Sequence, residues 1–158
     1  MKICVTGHRP NKLYGYNLKD PRWLHLKYTF KKLLIGMHCT EGITGMALGT
    51  DLVFAQAVLE LKRDGYDIRL HCAIPCQNQT KNWSREYVAL YQQILDHADI
   101  VKVLAGSYSP AVMQSRNGYM VDVSDIVIAV WDGTPSGTAN CIRYAQKIGK
   151  PVYRIQPF

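Results

Sequence analysis

Short β-type runs alternate with amphipathic helical stretches along the whole chain, and few folds satisfy that order. Parallel strands need a crossover that returns over the sheet, so the alternation predicts an open, mostly parallel sheet with helices on both faces. Six runs fit strands: Lys2–Thr6 ending at Gly7, Gly42–Thr44, Ile68–Ile74 closed by Pro75, Ile100–Leu104, Ile126–Trp131 and Val152–Ile155. Between the first two, Trp23, Leu26, Phe30, Leu33, Leu34 and Met37 recur at helical spacing, with Lys27 and Lys31 on the adjoining polar face. A second helix is expected from a Thr50 or Asp51 cap to the stop at Gly65, and a third from a Ser84 cap. The fourth and fifth are expected over Ala111–Val121 and Thr138–Ile148. No linker or low-complexity tract interrupts the pattern. The expected fold is therefore α/β: one Rossmann-like, three-layer domain over residues 1–158, with about six strands flanked by helices.

Charge is unevenly placed. The 19 Lys and Arg against 12 Asp and Glu give a net +7, and residues 1–38 carry the excess: Lys2, Arg9, Lys12, Lys19, Arg22, Lys27, Lys31 and Lys32 against Asp20 alone. A local anion pocket is thus favoured over a polyanion track along the whole domain. Arg9, Lys12, Lys19 and Arg22 belong to the loop beside the expected cleft, whereas Lys27, Lys31 and Lys32 are expected to form a solvated helix face. No apolar run approaches the roughly 20 residues that span a bilayer, and the first residues lack a secretory pattern, so a cytoplasmic location without membrane contact is expected. The five cysteines are odd in number and mostly in apolar surroundings, which fits reduced, buried thiols. His71, Cys72 and Cys76 lack zinc-site spacing, and no metal or cofactor is expected.

In such sheets ligands sit beyond the carboxyl ends of the strands. Two turns there share the pattern G-x-x-x-G-T: Gly45 to Thr50, with Gly49, and Gly133 to Thr138, with Ser136 and Gly137. Glycine admits close backbone approach, and the free N–H groups of a helix start attract an anion, so the pair points to a cleft for phosphate or ribose-phosphate. The alternative is two tight turns with capping threonines. Neither is a Walker A loop or a G-x-G-x-x-G dinucleotide loop. At the end of the first strand Thr6, Gly7, His8 and Arg9 face the same edge; Arg9 offers a fork for phosphate, and His8 either handles protons or bonds a nearby group structurally. Asp51 either caps its helix or faces the ligand, Asp122 is a partner for Arg116 or nearby backbone, and Asp132 is placed to accept ribose hydroxyls. The polar segment from Gln77 to Lys81 either holds a base, covers the cleft, or is an ordinary loop.

Thr6-Gly7-His8-Arg9-Pro10, the Gly45–Asp51 loop, Ile74-Pro75 with Gln77, Arg116-Asn117 through Asp122, Ile128 to Gly133, Ser136-Gly137-Thr138 and Gly149-Lys150-Pro151 resemble the YpsA-like proteins of bacteria and phages over nearly the whole chain. That family lies in the SLOG (SMF/DprA–LOG) superfamily of Rossmann-like domains, related to the DNA-processing protein DprA and to LOG-type phosphoribohydrolases. The resemblance implies a cleft that binds, and so senses, a nucleotide or a nucleotide-derived molecule such as an ADP-ribose-like ligand. It also implies pairing of copies through helix faces, giving a homo-oligomer.

LOG-type hydrolases carry a Gly-Gly pair, a Gly-Thr and a Glu three residues beyond that Thr. Here Ser136 replaces one Gly, Cys141 holds the Glu position, and Val53 stands at the matching place after Thr50. The alternative function, nucleotide hydrolysis at an N-glycosidic or phosphoester bond, therefore needs another proton carrier. His8, Glu86 and Asp132 are the candidates. DprA-like binding of single-stranded nucleic acid ranks third.

Overall fold

The computed structural model describes residues 1–157. Six strands, β1 (Lys2–Gly7), β2 (Glu41–Thr44), β3 (Arg69–Ile74), β4 (Ile100–Val103), β5 (Ile126–Val130) and β6 (Val152–Ile155), form one sheet in the order β4-β3-β2-β1-β5-β6. Every neighbouring pair is parallel, which tightens the expectation of a mostly parallel sheet. Five helices make the crossovers: α1 (Pro21–Gly36), α2 (Thr50–Arg63), α3 (Arg85–Asp96), α4 (Pro110–Asp122) and α5 (Gly137–Lys147). A short 3-10 turn, Pro10–Lys12, was not foreseen; Pro10 at its start fixes φ for the turn.

The period of two in each strand divides the core. Ile3, Val5, Leu70, Cys72, Ile74, Ile128 and Val130 pack against α1, α2 and α3, whereas Cys4, Ile43, Ala73 and Val127 pack against α4 and α5 through Met120, Val121, Cys141 and Ala145. Burial on both faces is why these strands read as continuous apolar runs.

Two expectations about charge and caps are corrected. Neither Thr50 nor Asp51 caps α2: Gly49, at φ +89°, is the cap residue, Thr50 Oγ1 donates to His8 O at 2.9 Å, and Asp51 turns back to accept from Ala47 N at 3.2 Å. A left-handed φ there suits glycine and lets α2 start directly against the β1 turn. Nor are Lys27 and Lys31 a solvated face. Lys27 Nζ lies 2.7 Å from Glu60 Oε2, and Lys31 Nζ lies 3.3 Å from Glu60 Oε1, so the two lysines tie α1 to α2; Lys32 alone projects, over the Tyr28 ring. Ser84 and Ser136 cap α3 and α5 by accepting from Tyr87 N and Ala139 N.

Candidate functional site

The chain runs from β1 outward to β4 on one side, then returns to place β5 on the other, so β1 and β5 flank the point where strand order reverses. Ligands of open α/β sheets bind outside that point because the two adjoining loops diverge and leave a crevice. A cleft of about 460 Å³ opens there, a volume suited to a nucleotide-sized molecule. Size alone does not single it out, since a groove of about 490 Å³ runs between α2 and α3. Position and chemistry do: only the first lies at the carboxyl end of β1 and gathers Arg9, Asp51 and Arg116 with the start of α5.

Ten of the anticipated residues line this cleft. Thr6, Gly7, His8 and Arg9 come from the β1 turn, Asp51 from the first turn of α2, Arg116 and Asn117 from α4, and Ser136, Gly137 and Thr138 from the start of α5. Gly45, Gly49 and Thr50 stand behind the wall instead. Gly45 O accepts from Arg116 Nη1 at 2.6 Å and from Gln79 Nε2 at 3.0 Å, so this loop positions the guanidinium and faces the ligand space only through Ala47. The two G-x-x-x-G-T turns are therefore unequal, and only the one leading into α5 places its Gly-Thr pair in the cleft.

The remaining anticipated residues lie elsewhere. Gln77 N donates to Ala105 O, which ties its loop to the end of β4, and Gln79, not Gln77, reaches the wall. Glu86 is on α3, lining a separate groove with Tyr16, Lys19 and Tyr87. Asp122 accepts from Tyr144 Oη at 2.6 Å and does not meet Arg116. Of the basic loop, Arg9 and Lys12 line the cleft; Arg22 closes on Asp20 with two contacts of 3.0 Å, and Lys19 lies in the α3 groove.

Asp132 and Gly133 stop short of the lining, but Asp132 acts on it through His8. Its Oδ1 lies 2.9 Å from His8 Nε2 and also accepts from Thr134 N and Oγ1 at 3.0 and 2.6 Å. Those donors, Thr134 first and His8 after, hold the Asp132 carboxyl down to about 2, so it is ionised at neutral pH. Asp132 N also donates to the same His8 Nε2 at 3.2 Å, so Asp132 meets this nitrogen with both an acceptor and a donor. The imidazole is 3% exposed and fixed by this contact, with Nδ1 as the remaining nitrogen on a ring that lines the cleft.

Charge dominates the floor. Arg116 is 4% exposed and Asp51 7% exposed, yet both are cleft residues. Arg116 spends Nε on Asn117 Oδ1 and Nη1 on Gly45 O, and among the described residues no hydrogen bond uses Nη2. Burial raises the Asp51 carboxyl and lowers the Arg116 guanidinium; each is opposed by the charge of the other. Arg9 is exposed, and its side chain makes no hydrogen bond or ion pair among the described residues. Cys141, at the position of the hydrolase Glu, is 2% exposed, and burial pushes its thiol up to about 11, so it does not replace that carboxylate as a proton carrier at neutral pH.

Sequence reading missed Tyr108, Pro110, Met113, Gln114 and Met120, which form the α4 wall, along with Asn11 and Ala47. Their signal is tertiary, because only the docking of α4 across β1 turns this face of the helix toward the opening. Among the described residues, no three His, Cys, Asp or Glu side chains gather where a metal ion would be held.

Residues 3–156 match the family model described as the YspA SLOG family (YpsA). The chain belongs to the YpsA family of SLOG proteins. Within that family it is similar to the SPbeta prophage-derived protein YoqJ of Bacillus subtilis, at 36% identity over 89% of this chain and 92% of YoqJ. It is also similar to the UPF0398 protein YpsA of the same organism, at 27% identity over 97% and 91% of the two chains. Among solved structures, the fold resembles DNA processing protein A of Helicobacter pylori, described for its single-stranded DNA binding mode, with a TM-score of 0.68 at 19% identity. The Streptococcus pneumoniae DprA gives 0.66 at 16%. This chain spans 64% and 49% of those two chains, so the likeness is one of fold. No helix among the described residues is long and apolar enough to cross a membrane.

Proposed function

We propose that the β1/β5 cleft binds the phosphate-bearing part of a nucleotide or nucleotide-derived ligand, of which an ADP-ribose-like molecule is one form, and that the protein acts as its sensor. One observation carries the reading: the Arg9 guanidinium, which makes no hydrogen bond or ion pair among the described residues, shares the cleft with the opening turn of α5. A free guanidinium and a helix amino end both favour a phosphate group, and the guanidinium can grip two of its oxygens. Lys12 adds a second positive charge. Membership of a SLOG family agrees with a nucleotide-type ligand.

A ligand present at about 100 times its Kd adds roughly 2.7 kcal/mol to stability, which raises the melting temperature of a domain this size by about 5–10 °C. AMP, ADP-ribose, cyclic ADP-ribose and NAD form the first panel. Gly137→Asp is the matching variant: a Cβ at Gly137 meets nothing within 4 Å, so the fold accepts it, while the new carboxylate sits at the helix start in the place proposed for phosphate. The expected outcome is a melting shift with at least one ligand that shrinks in the variant. No shift across the panel, or the same shift in both proteins, would remove the reading.

The His8–Asp132 contact favours a second reading, hydrolysis of the bound nucleotide with His8 carrying the proton and Asp132 holding its ring in place. Mass analysis of the ligand after incubation separates turnover from sensing. Single-stranded nucleic acid ranks below both, since Lys27 and Lys31 are engaged by Glu60 and are not displayed for a phosphate backbone.

A further inference from the structure

The carboxylate on the cleft floor has no evident use in a phosphate site. Asp51 is 7% exposed, and its Oδ2 accepts from Ala47 N at 3.2 Å, while Oδ1 accepts no hydrogen bond among the described residues. No buried side-chain nitrogen or oxygen is left without a partner, so Oδ1 is not sealed inside the protein; it opens on the space that Asp51 lines. Burial raises this carboxyl, and the charges of Arg116 and Arg9 oppose the rise. A carboxyl oxygen without a hydrogen bond is an acceptor open to a donor.

Topology separates the two ends of a ligand. α2 follows β2 and α5 follows β5, on opposite sides of β1, so Asp51 and the anion-binding helix start stand on the two flanks of the β1 turn. A phosphate held by Arg9 and the start of α5 leaves the adjoining sugar to face Asp51. Sugar hydroxyls are donors, and a deoxy position is not. We propose that Asp51 accepts the ribose hydroxyls of the bound ligand and makes the cleft selective for ribonucleotides over their deoxy counterparts. This inference rests on the nucleotide reading of the cleft, and it gives to Asp51 the part that sequence position suggested for Asp132.

The test compares AMP with 2′-deoxy-AMP and 2′,3′-dideoxy-AMP, and with IMP, which lacks the adenine amino group, by calorimetric titration of the whole chain. AMP is expected to bind about 10- to 100-fold more tightly than the dideoxy form, the range for leaving a buried acceptor without its donor. IMP is expected to bind like AMP. In Asp51→Ala the sugar preference is expected to fall to about threefold or less; should that variant fail to fold, the wild-type comparison decides alone. Equal binding of AMP and dideoxy-AMP, or a loss with IMP in place of a loss with the deoxy sugars, overturns the assignment and leaves the nucleotide reading standing. Absence of binding by every one of these nucleotides overturns both.

Discussion

Gly45→Ala is expected to lower stability by about 1–3 kcal/mol, the usual range for overpacking a filled interior, and to impair ligand binding with it. A Cβ at this position would lie 2.3 Å from Arg116 Nη1, 2.6 Å from Arg116 Cζ and 2.9 Å from Asp51 Oδ2. Arg116 is 4% exposed and anchored to the Gly45 carbonyl itself, so the guanidinium cannot step aside without breaking its 2.6 Å bond. The objection is steric only, because Gly45 is not among the residues with positive φ. Gly106→Ala, where a Cβ meets nothing within 4 Å, is the control and is expected to stay within about 0.5 kcal/mol of the parent. Urea denaturation of both variants checks the difference; equal midpoints would mean that Arg116 is not held as described.

Arg9→Ala acts in the opposite manner, leaving the fold intact and removing affinity. Arg9 is exposed and its side chain makes no hydrogen bond or ion pair among the described residues, so its loss is expected to change stability by no more than about 0.5 kcal/mol. Removing a guanidinium that grips phosphate in a partly enclosed site costs about 2–5 kcal/mol, so the Kd for ADP-ribose or AMP is expected to rise by roughly 30- to several thousand-fold. Titration calorimetry reads this directly. A variant that binds either ligand as well as the parent would show that the anion is held elsewhere.

The architecture was legible because the four inner strands β1, β2, β3 and β5 are buried on both faces and the chain is punctuated at strand ends, as by Gly7 and Pro75; the observed strand boundaries fall within one residue of those expected. Eight residues of the cleft were legible because they sit on strand ends and helix starts, whose place in this fold follows from connectivity; Arg116 and Asn117, in the middle of α4, were legible through the family resemblance. What escaped depends on docking. Lys27 and Lys31 looked solvated on α1 considered by itself, and only the approach of α2 brings Glu60 to them. The like spelling of the two glycine turns hid their difference: Gly45–Thr50 is clasped by Arg116 and Gln79 from outside the loop, while Ser136 to Thr138 remain open. Asp132 was expected among the ligand contacts and instead reaches the cleft through His8, a contact across 124 residues that no local pattern carries.

The most direct test of the central claim is an amide NMR titration of the isotopically labelled chain with ADP-ribose. The backbone signals of Gly7, Arg9, Gly137 and Thr138 are expected to shift and to saturate together, since these residues share one cleft. No shifts, or shifts confined to the α2/α3 groove around Leu59 and Gln93, would contradict the account.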